Sequence, residues 1–201
     1  MVVPGSIQYV HVMAETKRLN PTRVLLGLLL GALVACGGTP TTGETTTAAE
    51  TPTTASAGET VEVRLIDFAF ANLPANVEAG TSFTVVNESE SEIHEMVAFR
   101  LADEETRSVE ELTTLSPEEL ENTLGAPVFV LLAAPGGPMI PAVGDGTLNE
   151  PGRYAVFCFI PTGVDPQTYL DAAAETEEGP PQVEGGPPHF VHGMYGEITV
   201  P

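Results

Sequence analysis

Basic side chains are scarce in this chain. Seven Lys and Arg stand against 28 Asp and Glu, a formal net charge of −21 over 201 residues. Such a surface repels nucleic-acid phosphates and anionic headgroups and attracts cations and basic proteins, which excludes DNA or RNA binding as the function. A salt-adapted host gives the same composition, so charge alone names no partner. Cysteine is rarer still, with only Cys36 and Cys158. The apolar run "VLLGLLLGALVA" is twelve residues long, too short for a bilayer core that needs roughly 20. No internal repeat is evident. Of the four histidines, two (His189 and His192) sit beside Met194 in "PPHFVHGMYGEITV", just ahead of the last alternating run.

What is present at the N-terminus reads as targeting. Lys17, Arg18 and Arg23 precede the apolar run, and Leu33-Val34-Ala35-Cys36 closes it. This order suits the basic and apolar regions of a secretory signal, and the last four residues resemble the lipobox of prokaryotic lipoproteins. The resemblance implies cleavage before Cys36, a diacylglycerol on its sulfur, and a chain exported and anchored to the outer face of the cytoplasmic membrane. The first twelve residues fit no n-region, so Met13 is a second candidate for the start. Loss of residues 1–35 leaves four basic and 27 acidic side chains, a net charge of −23. Cys158 then has no partner in the chain. A lone thiol in an exported protein is either buried and inert or held by something other than a disulfide.

The chain length allows one ordinary domain plus appendages. Residues 36–58, rich in Thr, Ala, Gly and Pro, lack apolar periodicity and read as a flexible tether. The folded part is expected over 59–201. "VEVRLIDFAF", "TSFTVVNES", "EIHEMVAFRL" and "RYAVFCFI" read as strands. In the third, Ile93, Glu95, Val97 and Phe99 share one face, and His94, Met96, Ala98 and Arg100 the other. Ser116 as N-cap and Pro117 at the first helical position predict a short helix. A short apolar strand is expected over 128–132, followed by a long Gly/Pro loop to Gly152. "PQTYLDAAAETEEG" predicts another helix. Inserts are placed at about 102–147 and 161–187. The pattern implies an all-β, antiparallel β-sandwich with short helical insertions.

From about residue 60 onward the chain resembles the cupredoxin family, the plastocyanin- and halocyanin-like blue copper proteins. Three stretches carry the resemblance: "NESESEIHEMV" with Asn87 and His94, "GRYAVFCFIP" with Cys158, and "PHFVHGMYGEITV" with His189 and Met194 five apart. It implies a Greek-key sandwich and one type 1 copper held by His94, Cys158, His189 and Met194, with His192 as an alternative ligand. Two imidazoles and a thiolate in a plane, with a weak axial thioether, suit both Cu(I) and Cu(II). The implied role is a carrier of single electrons, not an enzyme, steered by its acidic face to a basic redox partner. A non-redox module, either a copper carrier or a metal-free partner-binding domain, is the alternative. Cys158 with His189 as a thiol nucleophile and base is a third reading. A binuclear copper centre, needing two nearby cysteines, is excluded by the count, as is a multicopper oxidase built of several such domains. Two features depart from the family. Thirty residues separate Cys158 from His189, where one tight loop carries both in plastocyanin-like members. Glu95 stands where an Asn often follows the first His, and an ionised carboxylate has no proton to donate.

Overall fold

Strict alternation makes one-sided strands. In β2 (Thr60–Ile66) Val63 and Leu65 face inward while Glu62 and Arg64 face solvent. In β5 (Thr81–Asn87) the buried set is Thr81, Phe83, Val85 and Asn87. The computed structural model describes residues 54–55, 58–177 and 179–201. The signal segment, Met13, Cys36 and nearly all of the tether lie outside the described residues.

The remaining strands are β1 (Thr54–Ala55), β3 (Ala69–Ala71), β4 (Asn76–Val77), β6 (His94–Arg100), β7 (Phe129–Ala133), β8 (Ile140–Val143), β9 (Thr147–Leu148), β10 (Gly152–Phe157) and β11 (Tyr195–Val200). They form two sheets, ordered β1-β4-β11-β10-β6-β7-β8 and β3-β2-β5-β9. Among the described residues the chain crosses between sheets from β1 to β2, β3 to β4, β4 to β5, β5 to β6, β8 to β9 and β9 to β10, as a sandwich requires. One core joins both sheets and includes Leu65, Phe83, Met96, Leu131, Tyr154 and Ile198.

A second core explains why β6 is buried on both faces. Val97, Phe99, Ala155 and Phe157 of the larger sheet pack with Val109 and Leu112 of α1 (Val109–Leu112) and Leu120 and Leu124 of α2 (Pro117–Leu124). Each of these helices starts with a capping box, Ser108 with Glu111 and Ser116 with Glu119. Among the described residues no helix is long and apolar enough to cross a membrane.

Four expectations need correction. The sheets are mixed rather than antiparallel: β2 runs parallel to β5 over six register pairs, and β4 is parallel to both β1 and β11. Parallel neighbours need a crossover of about a dozen residues or more, and residues 67–80 supply it. "VEVRLIDFAF" is not one strand, because the backbone turns at Asp67-Phe68, where Phe68 adopts φ 62°, and returns as β3. The Gly/Pro loop after β7 contains β8 and β9, which extend the two sheets. Most of 129–147 is therefore sheet, and the helical insert is confined to about 102–128. The range assigned to the tether also holds β1, paired with β4.

Candidate metal centre

Register fixes which residues meet. Phe157 of β10 pairs with Val97 of β6 and with Tyr195 of β11. His94 at the start of β6, Cys158 just past β10 and Met194 just before β11 therefore lie at one end of the larger sheet. The turn leading into His94 is tied by its own side chains. Asn87 Nδ2 donates to the Glu92 carbonyl at 2.9 Å and across to Ala133 of β7 at 2.8 Å. Asn87 Oδ1 accepts from the Ser89 N–H, and Ser89 Oγ accepts from the Glu92 N–H. The segment "NESESE" is thus a knotted loop that delivers His94 at one position.

His189 comes from a 3-10 turn (His189–His192) ended by Gly193 at φ 111°. The question raised by the sequence was whether thirty intervening residues let it reach Cys158. They do, because the ends of the insert are laced together. Pro161 and Pro188 form a β-bridge. The Thr162 N–H and hydroxyl both donate to the Pro187 carbonyl, at 3.1 and 2.7 Å, and the Gly186 N–H donates back to Thr162. The His189 N–H then donates to Ile160 and the Phe190 N–H to Cys158. Gly185 makes the close approach possible, since a Cβ there would lie 2.5 Å from Pro161 Cβ. Between these ends α3 (Pro166–Glu175), capped by Asp165, drives Tyr169 into the core. Tyr169 and Glu95 line a cavity of about 220 Å³ under the insert.

The donor atoms of His94, Cys158 and His189 lie within 4.8 Å of one another, and all three side chains are fully buried. Nδ1 of His94 is 3.0 Å from Nδ1 of His189, which is 3.4 Å from Cys158 Sγ. The two Nε2 atoms point the other way, toward Asp67 Oδ1 at 3.4 Å and Glu92 Oε2 at 3.2 Å. Met194 is equally buried, belongs to the same core cluster as Cys158, and accepts the Cys158 N–H on its carbonyl at 3.1 Å. His192 is outside this group. It is exposed and packs on Phe68, with ring centres 4.9 Å apart.

Protons decide what the cluster can hold. Two neutral imidazoles carry two N–H groups. Three contacts need a proton: each Nε2 with its carboxylate, and Nδ1 with Nδ1. Burial pushes the His94 pKa down and lowers that of His189 to about 3, so a third ring proton is not available near neutral pH. With both N–H groups on the carboxylates, two bare nitrogen lone pairs converge beside the sulfur. Burial, reinforced by the Glu95 charge, pushes the Cys158 thiol pKa well up, while the Glu95 N–H at 3.4 Å from Sγ acts against this. Such a thiol needs a metal cation to lose its proton. Two imidazole nitrogens and a thiolate, with buried Met194 in the same core cluster as the cysteine, suit a soft ion of the copper or zinc type.

The chain is similar to dithionite-reduced auracyanin from the photosynthetic bacterium Roseiflexus castenholzii, at 21% identity over 72% of this chain and 98% of that one, TM-score 0.41. It is similar to auracyanin A, a "blue" copper protein from the green thermophilic photosynthetic bacterium Chloroflexus aurantiacus, at 18% identity, 71% and 98% coverage and TM-score 0.36. For auracyanin B the values are 19%, 76%, 91% and 0.33. No family model matches the chain, and no curated protein matches it. At these identities the site reading rests on the side chains themselves.

Several contributors were not legible in sequence. Asp67 and Glu92 are two among 28 acids, and no spacing singles them out. Phe68, which meets His189 edge-on at 5.1 Å, looked like one more strand residue. Glu95, seen as a departure, is 2% exposed and takes part in the site: its Oε1 accepts the Phe159 N–H at 3.1 Å while its own N–H reaches Cys158.

Proposed function

We propose that this protein is a blue copper electron carrier, in which His94, Cys158, His189 and Met194 would hold the copper. The observation that carries the reading is the convergence of two Nδ1 lone pairs and one thiol in a fully buried cluster. Copper held there supplies a single electron reversibly. The chain's part is to keep the donors fixed, so that little rearranges between the two oxidation states. The knotted turn before His94 and the laced ends of the insert serve this, because they set both imidazoles from rigid backbone. Half-buried Phe68, in edge contact with His189 and in contact with exposed His192, offers a short path from the site to the surface.

Burial favours this reading over the others. A carrier that hands copper on needs ligands that a partner can reach, whereas all four here are 0% exposed. A nucleophilic cysteine needs a lowered pKa and access, and Cys158 has neither. In this reading the protein works outside the cytoplasmic membrane, held by a lipid on Cys36, and its acidic surface steers a basic redox partner. Adding Cu(II) to the purified protein tests the ligand set. The wild type is expected to develop one intense visible thiolate-to-copper band, and Cys158→Ser to develop none. A band that survives the substitution, or is absent from the wild type, contradicts the proposal. Globomycin-sensitive processing and labelling of Cys36 by a fatty acid analogue test the anchor.

A further inference from the structure

Each ligand imidazole is backed by a carboxylate on its far side. Glu92 Oε2 lies 3.2 Å from His189 Nε2, and Asp67 Oδ1 lies 3.4 Å from His94 Nε2. Neither carboxylate is a chance neighbour. Glu92 is only 15% exposed and is held from behind by the Gly163 N–H at 3.0 Å, so one side chain joins the turn before His94, the start of the insert and the ligand at its end. Asp67 is placed by the turn in which Phe68 takes a positive φ, a conformation uncommon for a bulky residue and so held by its surroundings. An imidazole has one proton when neutral, and a carboxylate can only accept. Each pair therefore draws the proton to Nε2 and leaves Nδ1 bare on the side of Cys158.

We propose that Glu92 and Asp67 are the positioning residues of the metal centre, aiming both Nδ1 atoms at Cys158 and biasing a bound copper toward its oxidised state. The second half rests on the copper reading above. The bias has two sources. A carboxylate that accepts the distal N–H raises the basicity of the ligating nitrogen. The negative charge, in contact with the ligand imidazole and partly shielded from water, would also favour the ion of higher charge. Glu92 has the larger effect, because Asp67 is 54% exposed and screened.

Two readouts test this. In the copper-free protein near neutral pH, nitrogen–proton correlation of the histidine rings is expected to show Nε2–H on both His94 and His189. An Nδ1–H on either ring overturns the positioning role. In the copper-loaded protein, Glu92→Gln is expected to keep the thiolate band and shift the Cu(II)-to-Cu(I) affinity ratio about tenfold toward Cu(I), which is a rise of about 59 mV in potential for one electron. Asp67→Asn is expected to raise it less. Glu62→Gln, at an exposed acid of β2, controls for loss of one surface charge and is expected to leave the potential unchanged. A potential for Glu92→Gln equal to that of Glu62→Gln overturns the bias. A wild type with no thiolate band contradicts the copper reading and the bias together, while the ring tautomers still decide the positioning role separately.

Discussion

His189 shows how one buried side chain links site and stability. Its folded pKa is about 3 because burial, and then the neighbouring His94 ring, disfavour the charged form, against an ordinary value of 6.5. In the unfolded chain the same ring takes up a proton as pH falls below 6.5. Between 6.5 and 3 the unfolded state therefore binds more protons than the folded one, and stability falls with pH. His94 shifts in the same direction. From pH 6.5 to 5, above the ordinary carboxylate range, the copper-free protein is expected to lose about 2 kcal/mol through His189, with His94 adding to it, read as a lower urea midpoint. His189→Gln is expected to flatten that slope. An equal slope in both proteins would show that the ring is not held neutral.

At the scale of elements, the long insert is what makes this site unusual. Closing a longer loop costs little extra entropy, about 0.6 kcal/mol per doubling of length, so thirty residues are tolerable once their ends are fixed. Here the Pro161–Pro188 bridge, the Thr162 bonds and Gly185 do the fixing. Gly185→Ala forces a Cβ into the rigid Pro161 ring. It is expected to weaken copper retention by about 1–3 kcal/mol, the usual cost of overpacking, while leaving every ligand in place. Competition with a chelator measures this, and unchanged retention would mean that the bridge is not needed to hold His189.

The sequence announced the elements whose signals are local. Alternation marked β2 and β6, β-branched and aromatic content marked β5, and Ser116-Pro117 marked the start of α2 where it occurs. Of the residues singled out in the sequence, His94, Cys158 and His189 have donor atoms within 4.8 Å of one another. What stayed hidden depends on pairing across long separations. The parallel match of β2 with β5 arises from sheet assembly. The short β8 and β9 exist because neighbouring strands offer them partners. The turn at Phe68 breaks an otherwise regular apolar run. Asp67 and Glu92 matter only through where the turn and the insert put them.

For the whole molecule, charge is the dominant property. With −21 over the chain, the proposed cationic redox partner would be steered at long range, and the screening length shortens from about 30 Å at 0.01 M salt to about 8 Å at 0.15 M. Electron exchange with a basic haem protein is therefore expected to slow about tenfold or more over that range, and exchange with an acidic one to quicken. Stopped-flow rates that ignore salt would remove charge steering from the account. The central claim, that His94, Cys158, His189 and Met194 hold one copper that carries one electron, is tested most directly by a potentiometric titration followed at the thiolate band. The result expected is one copper per chain, a band that bleaches and returns reversibly, and a transition of one electron. Metal bound without that band, or a band that does not respond to potential, would contradict it.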